Sequence, residues 1–277
     1  MAIHELCAIL AKTLRMIDLT SHSELPLEHF SLQYEYAKRA TKVLNLPIGQ
    51  TLMEFTQFWR RIHNPLELKV NKMDWSFDST TPEWRELSDR INHNEPADTV
   101  AYELYTKNNS TAEAGKNYFG CFRYNFIQQV DDEKGIIEIH FKNRDTSVYG
   151  PLTKERKQAR CHDLKSMFES ISKNHSEAKI VRGGSWLYNL NSYRRLFPEI
   201  FTTDMKVEEI PFPRTSGIWG QFLTSNGKVN VSMKRNFLLK VNNAKNADDL
   251  LQSFEFKILF PSAGIESFYN HFAIQKF

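Results

Sequence analysis

The feature that most constrains this chain is an alternation of extended and helical patterns in residues 136–197. Residues 136–141 have the pattern of a strand, residues 153–173 that of an amphipathic helix, and residues 178–181 that of a further strand. This order is typical of a βαβ unit, in which the two strands run parallel and the crossover is right-handed. The sequence therefore predicts a parallel pair of strands joined by a helix, with a short helix over residues 185–197 ended by Pro198.

Aromatic and β-branched residues before this unit predict another strand. Residues 118–130 are rich in both types, and the acidic run that leads to Gly135 has the composition of a turn. The two strands on either side of that turn are expected to form a hairpin. Beyond the unit, residues 218–223 are interpreted as a strand and residues 225–227 as a turn, and helices are predicted over residues 233–241, 248–254 and 263–272.

The first third of the chain has helical periodicity. Apolar residues recur at helical spacing from Leu27 to Leu44, with Pro26 at a favourable first-turn position. Further helices are predicted over residues 3–17, after Thr51, after Pro82 and over residues 97–105, and the polar run 107–116 is interpreted as a linker. We therefore expect a helical N-terminal region (1–110) and a mixed domain (117–277). The fold class is α/β or α+β, a mixed, partly parallel sheet with flanking helices.

Composition excludes several classes of function. The net charge of +3 is too small to indicate nucleic acid, but residues 151–195 hold ten Lys or Arg against four Asp or Glu, which suits a small anionic molecule as partner. The three cysteines form no metal-binding or disulfide pattern, so a reducing cytoplasm and no metal site are expected. No apolar run approaches the length of a membrane span, and the N-terminus makes a poor signal peptide.

A corner for chemistry is predicted where the last strand of the unit meets the following helix. Gly183 and Gly184 would let backbone amides approach an anion, beside Arg182. The corner matches neither the dinucleotide fingerprint, nor the phosphate-binding loop, nor the nucleophile elbow. Ser185 is therefore an N-cap or a catalytic hydroxyl, and Trp186 is a wall residue or a substrate contact.

Two further side chains are candidates for the same site. His140 ends its strand, and the carboxyl ends of neighbouring parallel strands face one crevice, so it could act as a general acid or base near Arg182. The alternative is an imidazole bonded to a loop carbonyl. Arg160 lies on the inward edge of its helix, which indicates either a contact with an anionic ligand or an ion pair with Glu138 or Asp163.

The order of these motifs resembles the GNAT-like domain of acyltransferase-related proteins. His140, Gly150-Pro151-Leu152, an amphipathic helix and Ser185-Trp186-Leu187 follow one another over residues 140–204, as they do in that family. The resemblance implies acyl transfer with acyl-coenzyme A as cofactor, although the Gln/Arg-x-x-Gly-x-Gly/Ala loop of the family is absent. The segment Gly150-Pro151-Leu152-Thr153 with Gln158-Ala159 also resembles histidine phosphatases, without their Arg-His-Gly signature.

The sequence thus supports one leading hypothesis and two alternatives. The leading one is a GNAT-like acyltransferase acting on an anionic small molecule or an acyl thioester. His140 and Ser185 would be catalytic, and Arg160, Arg182, Gly183, Gly184 and Trp186 would bind substrate. The alternatives are a non-catalytic binding or interaction module and a phosphate-ester hydrolase.

Overall fold

The structure is a computed structural model that describes residues 25–63, 79–108, 118–130, 133–207 and 217–275. The helix predicted over residues 3–17 lies outside the described residues, as do most of the predicted linker and part of the predicted turn before Gly135.

The described N-terminal region is helical, as the sequence predicts. Pro82 occupies the first turn of one of these helices, where the missing N–H of proline costs nothing. Asn45 ends the first helix in the left-handed conformation with φ 53°, which asparagine tolerates well. The helices are α1 (Leu27–Leu44), α2 (Ile48–Phe55), α3 (Phe58–Ile62), α4 (Pro82–Asn92) and α5 (Ala97–Asn108).

The rest of the chain mixes strands and helices. The elements are β1 (Phe122–Val130), β2 (Glu133–Phe141), α6 (Lys157–Asn174), β3 (Ile180–Gly183), α7 (Asn191–Arg194), α8 (Glu199–Thr203), β4 (Lys206–Val207), α9 (Val231–Asn243), α10 (Ala247–Leu251), β5 (Leu259–Phe260), β6 (Ser262–Gly264) and α11 (Ile265–Phe272). Two 3₁₀ turns, Trp186–Asn189 and Gly217–Phe222, lie between them.

The main sheet has the strand order β1-β2-β3-β6 among the described residues. β1 and β2 are antiparallel, β2 and β3 are parallel, and β3 and β6 are antiparallel. The hairpin, the parallel pair joined by α6 and the mixed, partly parallel sheet with flanking helices are therefore confirmed. A second, two-stranded sheet pairs β4 with β5.

One face of the main sheet is sealed by helices and aromatic rings, and we call it the packed face. Ile137, Ile139 and Val181 point to this face and pack against Leu164 and Phe168 of α6. The short segments that follow β3 complete the layer with Tyr188, Tyr193, Phe197, Phe201 and Phe268. Burial of this apolar area is the main force that holds α6 and the sheet together.

The N-terminal helices are joined to the C-terminal ones through a shared core. Tyr36 of α1 stacks on Phe237 of α9 and meets Trp219 edge to face, with ring centroids 5.6 and 5.5 Å apart. Phe55 of α2 and Phe254 belong to the same buried cluster. Residues before 110 and after 217 thus share one hydrophobic core.

Three segments differ from the sequence-based expectation. Residues 217–222 form a 3₁₀ turn rather than a strand, because Trp219 and Phe222, three residues apart, enter the same core. The last helix begins at Ile265, since the residues before it pair with β3. The helix expected over residues 185–197 is divided into a 3₁₀ turn and the single turn of α7.

Candidate functional site

His140 and Arg182 lie on adjacent parallel strands and on the same face of the sheet. In the register of β2 and β3, Glu138 is opposite Arg182 and Ile139 is opposite Gly183. Side chains alternate along a strand, so Glu138, His140 and Arg182 point away from the packed face. This is the neighbourhood that the sequence predicts for His140 and Arg182.

The two outer strands add polar residues to this face. On β1, Arg123 is opposite His140 and Asn125 is opposite Glu138. On β6, Ser262 is opposite Arg182. We call this set the polar patch: Arg123, Asn125, Glu138, His140, Arg182 and Ser262.

A chain of hydrogen bonds connects the patch across β1 and β2. Arg123 Nη1 donates to Asn125 Oδ1 at 2.9 Å, and Asn125 Nδ2 lies 2.8 Å from His140 Nε2. Since an amide nitrogen is a donor, Nε2 acts as the acceptor and the geometry assigns the imidazole proton to Nδ1. Glu138 Oε2 lies 3.9 Å from the same Nε2, so a carboxylate is in place to stabilise His140 when Nε2 gains a proton.

The pair is accessible rather than sealed. The side chain of His140 is 36% exposed and that of Glu138 is 41% exposed. A ligand can therefore approach the imidazole from solvent.

Helix α3 brings further positive charge toward the patch. Burial of its guanidinium and the nearby Arg123 lower the pKa of Arg60. Burial and Arg60 lower the pKa of Arg61 to about 10, opposed by Tyr105. The side chain of Arg60 is exposed. Guanidiniums gathered within such reach create a potential that favours an anion.

Arg160 does not join this site. It lies on the stripe of α6 that packs against the opposite face of the sheet, one turn before Leu164. Its Nη1 lies 3.1 Å from Asp145 Oδ2 and its Nε lies 2.9 Å from Asp163 Oδ2. The sequence allowed either a contact with an anionic ligand or an ion pair for Arg160. The structure shows the ion pair, and the partner is Asp163 rather than Glu138.

The environment of Asp145 explains why that ion pair is tight. Its side chain is 2% exposed, and burial raises its pKa. The amide of Ser147 and the guanidiniums of Arg156 and Arg160 outweigh that effect, so the pKa of Asp145 is lower than usual. Burial raises the pKa of the neighbouring Asp163 and of the Cys121 thiol. The cluster holds the loop after β2 onto the start of α6.

The glycine corner is occupied by the protein itself. A Cβ on Gly183 would collide with the Tyr188 hydroxyl, and one on Gly184 would lie 2.9 Å from the Phe260 ring. The Gly183 amide donates to the Pro261 carbonyl at 3.1 Å. Close packing therefore requires glycine at both positions, since a strand often has glycine where another group approaches its backbone closely.

Ser185 and Trp186 are also used in packing. Ser185 Oγ accepts a hydrogen bond from the Leu187 amide at 3.1 Å and caps the 3₁₀ turn, which agrees with the capping interpretation. The indole of Trp186 stacks on Phe256 with ring centroids 5.7 Å apart. The structure therefore brings His140 and Arg182 together and leaves the other candidates in structural contacts.

Sequence reasoning missed Arg123 and Asn125. The available signal was their spacing, because two polar residues two positions apart in an otherwise aromatic strand must share a face. Glu138 was considered only as a partner for Arg160, and the structure places it beside His140.

No family model matches this chain, and neither the curated proteins nor the solved structures contain a match. The GNAT-like resemblance and the resemblance to histidine phosphatases therefore stay predictions. Within the described ranges, no helix is both long and apolar enough to cross a membrane. In the same part of the chain, no group of three potential ligands could hold a metal ion.

Proposed function

We propose that the polar patch binds an anionic small molecule and that His140 exchanges a proton with it. The observation that carries this proposal is the hydrogen-bonded chain from Arg123 through Asn125 to His140, with Glu138 beside the imidazole. Imidazole is the side chain that changes charge most readily near neutral pH, and a carboxylate next to it supports its charged form. Arg182, opposite Glu138, supplies a cation for the ligand.

Acyl transfer from a thioester to an amine is the first reaction to test. Once Asn125 Nδ2 releases its hydrogen bond to Nε2, that nitrogen of His140 would accept the proton that the amine loses as its nitrogen bonds the acyl carbon. The C–S bond breaks, and the departing thiolate would take the proton back from Nε2. Because the Gly183 amide already donates to Pro261, the arginines rather than the glycine corner would support the oxyanion. Ser185 has no role in this scheme.

A non-catalytic anion-binding module is the second candidate. It is favoured by the use of Ser185 as a cap and by the packing of Tyr188 against Gly183. In this hypothesis the polar patch binds the same class of ligand but does not convert it. The Glu138–His140 pair then sets the pH dependence of binding.

One experiment separates these outcomes. Thermal unfolding is measured with coenzyme A, acetyl-coenzyme A and inorganic phosphate, followed by an assay for thiol release in the presence of amines. A ligand at 100 times its Kd stabilises the native state by about 2.7 kcal/mol, which is readily seen as a shift in Tm. The variants are His140→Gln and Arg182→Gln, with Arg235→Gln on the exposed surface of α9 as the control for charge removal.

We expect at least one of these ligands to raise the Tm of the wild type. The shift should be smaller in Arg182→Gln and unchanged in Arg235→Gln. Thiol release that His140→Gln abolishes supports catalysis, and stabilisation without release supports the binding module. If no probe stabilises the protein, or if Arg182→Gln leaves the shift unchanged, the proposal is wrong.

A further inference from the structure

A pocket of about 550 Å³ lies away from the polar patch, among α7, α8 and α11. The residues between its helices, such as Phe197, belong to the core of the packed face, so this pocket and the polar patch lie on opposite sides of the sheet. Its size is in the range that takes a small molecule. The polar groups around it are Asn191, Arg194, Arg195, Glu199, Thr202 and His271.

Arg195 is fixed in place without losing its charge. Its Nη2 donates to the carbonyl oxygens of Leu152 and Thr153 at 3.0 and 2.9 Å. Both acceptors are neutral, and they set the orientation of the guanidinium through the loop before α6. Hydrogen bonds are the main cause of the lowered pKa of the exposed Glu155, and Arg195 is near enough to contribute to that shift. A pre-oriented cation loses less conformational entropy when it binds an anion.

Arg194 is held in a similar way. Its Nη2 donates to the side-chain oxygen of Asn191, one turn earlier, which is again a neutral partner. The side chain of Arg194 is half-buried at the pocket wall. Two neighbouring guanidiniums are therefore both anchored by neutral oxygens.

Positive charge is in excess at this pocket. Lys157 lies near enough to His271 to lower its pKa, after the larger effect of burial and against the Leu196 backbone hydrogen bond. Within the described ranges, no carboxylate lies at ion-pair distance from Arg194, Arg195 or Lys157. Glu199 is the carboxylate in the lining.

The two arginines at the start of α6 differ from those at the pocket. Arg156 and Arg160 share the buried Asp145, at 2.6 and 3.1 Å, so their charges are compensated by the protein. Arg90 likewise pairs with Glu95 and Glu103. At the pocket, no buried carboxylate of the described residues pairs with Arg194 or Arg195, and both line a cavity, which is the arrangement of a site for an external anion.

We propose that this pocket binds a small molecule that carries a phosphate or carboxylate group. Arg194 and Arg195 bind the oxyanion, and the Thr202 hydroxyl, which donates to the Glu199 carbonyl oxygen, can accept a hydrogen bond from the ligand. Glu199 accepts from hydroxyl or amine groups on the rest of the ligand, which disfavours bare polyanions relative to molecules with both kinds of group. The proposal does not depend on the function of the polar patch.

Isothermal titration calorimetry with inorganic phosphate, citrate and phosphoserine tests the proposal on the full chain at low salt. We expect at least one probe to bind, with phosphoserine tighter than phosphate because its amine reaches Glu199. Arg194→Gln should weaken that binding by about tenfold, the lower end of what removing one charged hydrogen-bonding group costs. The double variant Arg194→Gln/Arg195→Gln should abolish it.

Two controls keep the result interpretable. Arg235→Gln removes the same charge on α9 and should leave binding unchanged. Because the polar patch is also proposed to bind anions, the titrations are repeated in an Arg182→Gln background, where the binding that depends on Arg194 should persist. Because Arg195 anchors a loop, circular dichroism is used to check that each variant is folded. If the double variant is unfolded, the binding affinity of Arg194→Gln alone tests the proposal. Absence of binding by all three probes, or equal weakening by Arg194→Gln and Arg235→Gln, would overturn the proposal.

Discussion

The two faces of the main sheet use the same residue types for opposite purposes. On the packed face Arg160 is buried between Asp145 and Asp163, and every charge in that cluster has a partner. On the other face Arg182 and His140 lie on strands whose polar groups remain accessible to solvent. The side of the sheet on which an arginine lies, rather than its residue type, separates the structural Arg160 of α6 from Arg182, the candidate ligand contact.

His29 and His140 likewise differ in their surroundings rather than in residue type. His29 of α1 is 1% exposed, and burial, together with the nearby Arg61, lowers its pKa to about 3. It is therefore neutral in the folded protein at all ordinary pH values. His140 keeps about a third of its side chain exposed beside a carboxylate, which is the environment that proton exchange requires.

The largest expected effect comes from breaking the buried cluster. Arg160→Met removes the cation that pairs with Asp163 and leaves Asp145 with Arg156 alone, so the buried cluster carries excess negative charge. Breaking a buried ion pair in this way costs about 3–5 kcal/mol. Urea unfolding should show this loss, whereas Arg182→Met, on the opposite face, should cost less than about 1 kcal/mol. Similar losses for the two variants would remove the contrast between the faces.

The second effect concerns the two histidines and pH. The pKa of His29 is about 3 in the folded state against an unfolded value of about 6.5, so the unfolded state binds more protons between these values. Stability must then fall as the pH is lowered from 6.5 toward 3, by up to roughly 1.4 kcal/mol per pH unit from this group. His29→Gln should flatten the stability profile in this window, and His140→Gln should not. A wild-type slope in the His29→Gln variant would show that other groups produce it.

The third effect tests why the chain has glycine at position 183. Gly183→Ala places a methyl group against the Tyr188 hydroxyl and should cost about 1–3 kcal/mol, as overpacking in cores does. Tyr188→Phe removes the hydroxyl, so the double variant should recover part of that loss. Equilibrium unfolding of the four proteins gives the coupling energy. Additive costs would mean that Tyr188 is not the reason for the glycine.

The sequence predicted the central unit well because local signals and long-range pairing agree there. In the strands around Ile137 and Val181 apolar residues alternate with Glu138, His140 and Arg182, as in strands with one buried face, and the helix between them has an apolar stripe. The predicted nearness of His140 and Arg182 followed directly from that topology, because it fixes which strand ends are neighbours.

The parts that sequence reasoning did not predict depend on contacts far along the chain. Ser262 to Gly264 form a strand only because β3 offers a free edge, and Trp219 enters a core built from α1 and α9. The occupant of the glycine corner, Tyr188, follows the glycine by five residues, but its direction is decided by the rings of Tyr193 and Phe197. No local pattern carries this information, so the corner could be expected to bind a ligand when it is in fact filled.

The smallest expected effect separates a cap from a catalytic hydroxyl at Ser185. Ser185→Ala removes the acceptor for the Leu187 amide and should cost about 0.5–1 kcal/mol, in the lower range for lost N-caps. Ser185→Asn keeps a side-chain acceptor at the cap but has no hydroxyl, so it should retain most of the stability. Any thiol release or anion binding at the polar patch should be the same in both variants and in the wild type, because Ser185 Oγ is engaged in the turn. If both variants lost activity while only Ser185→Ala lost stability, the Ser185 hydroxyl would have a chemical role. Ser185 would then belong to the same functional site as the polar patch.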